Sequence, residues 1–217
     1  MSVARKTKSR KIPGSVIVIS APSGSGKSTL VRRLMASVPD LIFSVSYTTR
    51  PRRAGERKGR DYFFVSPAKF KRMIAAGEFV EWADVHGQFY GTSRRQVRKA
   101  QEAGKDVLLD IDVQGHSQVR RQLPDAVSIF LLPPSFQELE RRLRRRHSDS
   151  PAVIHRRLEN ARREIRRWRE YDFLVVNDRL PAAVRALEAV VRASRARRQA
   201  QQVRAKEIEK TFGGKTE

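Results

Sequence analysis

Residues 17 to 30 read Ile17-Val18-Ile19-Ser20-Ala21-Pro22-Ser23-Gly24-Ser25-Gly26-Lys27-Ser28-Thr29-Leu30. An apolar, largely β-branched segment runs into a turn of glycine and serine, and the turn runs into a segment whose apolar residues have helical spacing. This order of strand, loop and helix is the context that a phosphate-binding loop requires. The stretch therefore predicts a site for the phosphates of a nucleotide.

The chemistry of the loop follows from its residue types. Gly24 and Gly26 let successive backbone N–H groups turn toward one point, to which the following helix adds the positive end of its dipole. Lys27 can reach the terminal phosphates of a nucleoside triphosphate, and the Ser28 hydroxyl can ligate Mg²⁺. Ala21 stands where the motif usually has its first glycine, and its methyl group is tolerated because the later glycines approach the phosphates most closely. We expect a nucleoside triphosphate to be bound by Ala21, Pro22, Ser23, Gly24, Ser25, Gly26, Lys27, Ser28 and Thr29.

Composition narrows the class of protein. The 217 residues carry a net charge of +23, which favours anionic partners such as nucleotides or nucleic acid. The sequence has no cysteine, so disulfides and thiolate metal sites are excluded. Its four histidines are too scattered for a metal-binding motif. No apolar run approaches the ~20 residues of a membrane span, and no secretory signal is recognisable. We expect a cytoplasmic protein without a membrane partner.

The pattern along the chain predicts the fold. Apolar strand segments alternate with helical segments, which is typical of a doubly wound parallel α/β sheet. Residues 105–111 form a buried strand that delivers Asp110 to the sheet edge, where a carboxylate can orient Mg²⁺ or its waters. Residues 46–62 are rich in arginine, hydroxyls and glycine and predict a loop that holds an anion. We expect helices over 135–146 and 152–170, and an amphipathic helix over 181–198.

At this point the chain resembles the guanylate kinases, over about residues 15–192. The resemblance is an ordered set of positions spread over several loops, which makes it far more specific than the phosphate loop alone. These positions are Ser46, Thr48-Thr49-Arg50, Arg53, Gly55-Glu56, Gly59, Tyr62, Glu81, Tyr90-Gly91-Thr92, Asp110-Ile111-Asp112, Gln114-Gly115, Pro133-Pro134-Ser135 and Val176-Asn177-Asp178.

The resemblance implies roles for particular residues. GMP would be bound by Ser46, Arg50, Arg53, Tyr62, Glu81, Tyr90, Gly91, Thr92 and Asp112, with Arg50, Arg53, Tyr62 and Tyr90 on the phosphate and Ser46, Glu81, Thr92 and Asp112 on the guanine. Catalysis would be carried by Lys27, Arg142, Arg146 and Arg157. ATP would be the phosphoryl donor, and Mg²⁺ would be held by Ser28 and Asp110, partly through water. A glycine is usual after the second of the lid arginines, and here it is His147.

The resemblance also implies how the chain is divided. We expect a P-loop kinase domain over 14–198, with core segments 14–44, 96–136 and 168–198. A GMP-binding lobe over 45–95 and a helical lid over 137–167 are inserted into that core. We expect a basic disordered tail at 1–13 and a polar tail with frayed helix at 199–217.

Three alternatives stay open at this point. A kinase of the same fold acting on a ribose phosphate should lack the set Arg50, Arg53, Tyr62 and Glu81. A guanylate-kinase-like scaffold without catalysis typically loses the phosphate loop, which Lys27 and Ser28 preserve. Nucleic-acid binding through the basic tails is supported by charge alone, so we do not favour it. The sequence leaves the oligomeric state open.

Overall fold

The structure is a computed structural model that describes residues 12–85, 87–145 and 150–212. Its strands form two separate sheets, one of five strands and one of four. The strands are β1 (Val16–Ser20), β2 (Leu41–Phe43), β3 (Tyr47–Thr48), β4 (Phe63–Phe64), β5 (Phe79–Val85), β6 (Gln88–Ser93), β7 (Asp106–Asp110), β8 (Val127–Leu132) and β9 (Phe173–Val176).

Short polar residues begin most of the helices. Side chains of Ser66, Ser93, Asp112, Ser135 and Ser150 each accept a hydrogen bond from a backbone N–H in the first turn that follows, as helix N-caps do. The helices are α1 (Lys27–Ser37), α2 (Pro67–Ala75), α3 (Arg94–Glu102), α4 (Val113–Gln122), α5 (Phe136–Arg144), α6 (Pro151–Glu164), α7 (Leu180–Ser194) and α8 (Arg198–Thr211), with a 3₁₀ helix at Ile165–Glu170.

The five-stranded sheet is parallel throughout, in the order β2-β7-β1-β8-β9. All five residues of β1 are buried because helices cover both faces of the sheet. Ile17 and Ile19 belong to the hydrophobic cluster that includes residues of α1 and α7. Val16 and Val18 point the other way, into the cluster that includes residues of α3 and α4. The predicted doubly wound parallel sheet is confirmed.

The topology of this sheet places the functional loops. The chain leaves β1 in the middle of the sheet, and the neighbouring strands β7 and β8 come from later parts of the chain. Ligands of such sheets bind beyond the carboxyl ends of the strands, at the point where the strand order switches direction. The predicted phosphate loop lies at that point, directly after Ser20 at the end of β1.

The four-stranded sheet has the order β4-β3-β6-β5 and is built around the antiparallel pair β5 and β6. Helix α2 closes one face through Phe70 and Met73, which pack with Phe79. Strand β3 lies inside residues 46–62, which the sequence predicted to be a loop. The prediction failed here because β3 has only two residues, and pairing with β4 and β6 stabilises it.

Other differences from the sequence-based expectations lie in the helices. No helix was predicted at α4, whose ten residues include only two apolar side chains, Val113 and Val119. The helix expected over 152–170 ends at Glu164 and continues as the 3₁₀ helix. The frayed helix expected in the tail from residue 199 is a continuous helix, α8, because its alanine, glutamine, arginine and glutamate are good helix formers.

Of the predicted basic tail at 1–13, residues 1–11 lie outside the described residues, as do residues 213–217. Within the described part of the chain, no helix is both long enough and apolar enough to span a membrane.

Candidate active site

The phosphate loop has the backbone that its glycines predict. Gly24 and Gly26 have φ of 92° and 86°, a region that side-chain-bearing residues rarely adopt. Gly26 is also the N-cap of α1, so the chain turns directly from the loop into the helix. The first N–H groups of a helix have no intrahelical partner, and here they lie at the loop. The loop thus has the geometry of an anion-binding helix terminus.

A second reason for these glycines is the packing around the loop, which sequence analysis did not identify. A Cβ on Gly26 would lie 2.6 Å from Nδ2 of Asn177, and a Cβ on Gly24 would lie 2.9 Å from the side chain of Leu143. Asn177 is buried and donates from Nδ2 to the carbonyl oxygen of Ser25 at 2.7 Å. Since Asn177 follows β9, the loop is supported by residues about 150 positions away in the chain.

Lys27 and Asp110 lie together at the carboxyl edge of the sheet. Nζ of Lys27 is 2.6 Å from Oδ1 of Asp110 and donates to the carbonyl oxygen of Ile111 at 3.0 Å. Asp110 ends β7 and is paired in register with Ile19 of β1, which explains the proximity. Ser28 lies in the first turn of α1 and is exposed. The structure therefore places the Lys27 amine, which was predicted to contact the phosphates, beside the Asp110 carboxylate, which was predicted to orient Mg²⁺.

A buried carboxylate lies on β5, next to helix α4. Glu81, on β5, is only 5% exposed, and its Oε1 accepts from Oγ1 of Thr92 on β6 at 2.5 Å. Burial raises the pKa of Glu81 to about 7, and the charge of Asp112 adds to the rise, while the Thr92 hydrogen bond opposes it. Asp112 is the N-cap of α4, and its Oδ1 accepts from the N–H groups of Gln114 and Gly115. Glu81, Thr92 and Asp112, predicted from distant segments, are thus brought together.

The arginine-rich loop is held by an acidic residue that received no role from the sequence. Glu56 binds Nη2 of Arg50 through Oε1 at 2.6 Å and accepts from the N–H of Arg53 through Oε2 at 2.8 Å. The Arg50 guanidinium also lies 5.4 Å from the ring centre of Tyr62. The rings of Tyr62 and Tyr90 are 5.8 Å apart, edge to face. Arg50, Tyr62 and Tyr90 therefore form one group, while Arg53 is exposed beside it.

Two further predicted residues, Ser46 and Gly91, lie at or beside strands β3 and β6. Ser46 precedes β3, and its carbonyl oxygen accepts from the N–H of Phe63 at 2.9 Å. Gly91 is buried on β6, where a Cβ would lie 2.9 Å from the Phe79 ring and 3.0 Å from the Phe70 ring. Gly91 therefore allows the aromatic cluster of the lobe to pack directly against the backbone of the candidate site.

Helix α5 brings Arg142 to the segment that supports the phosphate loop. Arg142 donates from Nε to Oε1 of Glu138 at 2.7 Å and from Nη2 to the carbonyl oxygen of Asn177 at 3.1 Å. Glu138 also binds Arg141, and its hydrogen bonds with Arg141 and Arg142 lower its pKa to about 2. Arg142 therefore links the predicted lid to the loop after β9.

Helix α6 contacts the phosphate loop at Ser23. Arg157 donates from Nε to Oγ of Ser23 at 2.9 Å, and the N–H of Ser23 donates to Oε2 of Glu164 at 3.2 Å. Burial is the main cause of the raised pKa of Glu164. Arg157 was predicted to act here, whereas Glu164 was not. Arg146, the other predicted lid arginine, lies outside the described residues.

Residues missed by sequence reasoning share one property. Glu56, Glu164 and Asn177 are polar residues that orient another group, and nothing in their immediate neighbours distinguishes them from surface residues. Glu56 and Asn177 were within the motif positions, which was the only available signal.

A phosphate loop at the switch point of a parallel sheet, with a helical segment docked on it, defines the chain as a P-loop nucleotide-binding protein.

Comparison with known proteins gives the family. The guanylate kinase family model matches residues 14–194. A guanylate kinase of Syntrophotalea carbinolica is 54% identical over 192 residues, covering 86% of this chain and 91% of that protein. One of Koribacter versatilis is 53% identical over 193 residues, covering 88% and 83% respectively. The chain belongs to the guanylate kinase family, and it is an enzyme of the transferase class.

A solved structure agrees with this assignment. The crystal structure of guanylate kinase from Anaplasma phagocytophilum matches with a TM-score of 0.71 and 34% sequence identity. The match covers 88% of this chain and 90% of that chain.

Proposed function

We propose that the enzyme transfers the γ-phosphoryl group of ATP to GMP, and to dGMP, and releases ADP with GDP or dGDP. A phosphate oxygen of the monophosphate attacks the γ-phosphorus in line, and the bond from that phosphorus to the β,γ-bridging oxygen breaks. The attacking oxygen is already anionic, so no general base is needed. Catalysis then consists of positioning and of stabilising the charge on the transferred group.

The observation that carries the choice of base is the buried carboxylate of Glu81. Guanine presents N1–H and N2–H as neighbouring donors, which an ionised carboxylate can accept together, whereas adenine presents an acceptor at N1. Thr92 fixes one oxygen of Glu81 at 2.5 Å, so the carboxylate is oriented before any ligand binds. Asp112 and Ser46 complete the proposed guanine site.

The phosphate of the acceptor is proposed to lie beside Arg50 and Arg53, with the phenols of Tyr62 and Tyr90. Guanidinium groups match phosphate oxygens two at a time, and the dianion suits a site with two of them. Glu56 supports this proposal because it holds Arg50 at 2.6 Å. Charge-assisted pairing of this kind keeps a long side chain in one orientation.

The donor is proposed to bind at the phosphate loop, from Ala21 to Thr29, with Lys27 on the terminal phosphates. The residues at the carboxyl edge of the sheet fit Mg²⁺, since Ser28 and Asp110 supply hard oxygen donors and few protein ligands are needed beside phosphates and water. When bound, Mg²⁺ would neutralise charge on the phosphates. Asp110 would orient the ion, partly through water, and Ser28 would ligate it.

The lid is proposed to complete the site. Arg142 and Arg157 lie on α5 and α6, and each contacts the loop or the segment behind it. Together with Arg146 they would neutralise charge that grows on the migrating phosphoryl group, a role for which one arginine can contribute about 10³–10⁵ in rate. Segment 137–167 is the proposed lid, and segment 45–95 is the proposed GMP-binding lobe.

The test is a coupled assay of ADP release with one acceptor at a time, at fixed ATP and Mg²⁺. The acceptors are GMP, dGMP, AMP, UMP and ribose phosphates. We expect GMP and dGMP to be used and AMP, UMP and ribose phosphates to be poor substrates. A preference for a ribose phosphate would overturn the proposed acceptor, and GMP binding without ADP release would overturn the proposed transfer.

A further inference from the structure

A glycine on helix α4 lies against the buried carboxylate of the proposed guanine site. Gly115 belongs to the first turn of α4, and its N–H donates to Oδ1 of Asp112 at 2.7 Å. A Cβ built on Gly115 would lie 2.9 Å from Oε2 of Glu81 and 3.4 Å from its Cδ. Real side chains essentially never approach at 2.9 Å, so any side chain at this position would force the carboxylate or the helix to move.

The backbone gives no reason for glycine at this position. Gly115 is not among the residues with positive φ, so a side chain would be compatible with its conformation. Glycine is also among the poorest helix formers, and alanine would favour the helix. Helix preference therefore does not explain glycine at this position, so another requirement must exclude a side chain here. The space occupied by Glu81 is that requirement.

The carboxylate has little freedom to avoid a new neighbour. Its Oε1 is held by Thr92 at 2.5 Å, and the side chain is 5% exposed. Oε2 of Glu81 faces Gly115. A methyl group on residue 115 would therefore rotate the carboxylate about its hydrogen bond with Thr92 or break that hydrogen bond. Either movement would misdirect the acceptor oxygens that the guanine N–H groups require.

We propose that Gly115 is a specificity-determining positioning residue, whose lack of a side chain holds the Glu81 carboxylate in the orientation that accepts from guanine. This inference rests on the proposed function, because it assumes that Glu81 contacts the base. Gly115 acts through Glu81 and has no part in the transfer itself. Its effect should therefore appear in the use of GMP and leave the use of ATP unchanged.

The first variant is Gly115→Ala. We expect kcat/KM for GMP to fall roughly 10- to 100-fold, since a hydrogen bond to a charged acceptor is lost or distorted. The dissociation constant of GMP, measured by calorimetry without ATP, should rise by a similar factor, and KM for ATP should stay within about twofold. Thermal stability should change little, because the preference of alanine for the helix opposes the cost of moving the Glu81 carboxylate. Arg121→Ala, an exposed change two turns further along α4, is the matched control and should leave all these values unchanged.

The deciding measurement is the same substitution in a Glu81→Asp background. The shorter acid alone should weaken the use of GMP, but it leaves room for a methyl group at residue 115. Adding Gly115→Ala should then cost less than about threefold, because neighbouring residues that act through one contact are not additive. An equal loss in both backgrounds would overturn the inference, since the methyl group would then act elsewhere, for example on Ile111, whose Cβ would be 3.3 Å away.

The two proposals fail in different ways. If the wild-type enzyme does not use GMP, or Glu81→Asp leaves its use unchanged, the proposed function or its guanine site is wrong. If Glu81→Asp impairs GMP use but Gly115→Ala does not, only the role of Gly115 is overturned.

Discussion

The phosphate loop and the proposed guanine pocket are built in opposite ways. The loop is a run of consecutive residues, and its anion-binding groups are backbone N–H groups that the glycine conformations and helix α1 orient. The pocket is made of side chains from separate elements: Glu81 from β5, Thr92 from β6, and Asp112 from the start of α4. A backbone site depends on a local pattern, whereas a side-chain site depends on how distant elements pack. The two should therefore respond differently to substitution, pH and loss of support.

The largest effect is expected at the loop from Lys27→Ala. The fold should be retained, because the amine faces Asp110 at the sheet edge and leaves the core untouched. Turnover should fall by about 10²–10³-fold, because a cation at the transferring phosphates is lost. The measurement is kcat of the folded variant with saturating GMP, with circular dichroism as the control for folding. Near wild-type turnover would mean that Lys27 does not contact the transferred group.

Glu81→Gln tests the pocket in the same way. The substitution keeps the shape of the side chain but replaces one acceptor oxygen with a donor, which would oppose a guanine N–H. A lost hydrogen bond to a charged acceptor costs about 2–3 kcal/mol, or roughly a 30- to 150-fold loss of kcat/KM for GMP. The preference for GMP over AMP should narrow without reversing, because Ser46 and Thr92 still favour guanine. An unchanged ratio of kcat/KM for the two monophosphates would remove Glu81 from the base site.

The pocket should also be sensitive to pH near neutrality. Burial and the charge of Asp112 raise the pKa of Glu81 from 4.5 to about 7 in the ligand-free protein. The proposed contact with guanine requires the ionised form of Glu81, so kcat/KM for GMP should fall about tenfold between pH 8 and pH 6 through this group. The GMP phosphate, with a second pKa near 6, also titrates in part of this range. Glu81→Gln is therefore the control, since its profile should keep only the contribution of the phosphate.

The raised pKa of Glu81 also affects stability, which should fall as pH rises, whereas kcat/KM for GMP should rise. Because the folded state binds the Glu81 proton more tightly than the unfolded state, this group makes the free energy of unfolding fall as pH rises from about 4.5 to about 7. Thermal melts of the ligand-free wild type and Glu81→Gln across that range measure it. If the melting temperatures of the two proteins changed with pH in the same way, the raised pKa of Glu81 would be contradicted.

The smallest effect is expected from Asn177→Ala, which tests whether the loop is as independent as its sequence suggests. The variant removes the buried hydrogen bond from Nδ2 of Asn177 to the carbonyl oxygen of Ser25. Such a loss costs about 1–3 kcal/mol in stability when the partner stays buried. We expect KM for ATP to rise about 3- to 10-fold, with KM for GMP unchanged. An unchanged KM for ATP would show that the backbone of the loop needs no support from the segment after β9.

Much of the fold followed from periodicity in the sequence. The apolar runs at β1, β7 and β8 predicted buried parallel strands because both faces of such a sheet are covered. The four-stranded sheet and helix α4 were harder to predict. Strand β3 has two residues and no apolar alternation to detect, and it exists because β4 and β6 pair with it. Helix α4 is mostly polar, so the helical period of its few apolar residues was missed.

The sequence by itself determined the phosphate loop, because glycine conformations and the start of a helix are decided within a few residues. Through the family pattern it also predicted which side chains form the proposed GMP site. Only the tertiary structure decided how those side chains are held. The docking of Glu164 and Arg157 on Ser23, the hydrogen bond from Asn177 to Ser25, and the space that Gly115 leaves for Glu81 are contacts between distant segments. Such contacts depend on how whole elements pack, and no local preference of the chain encodes them.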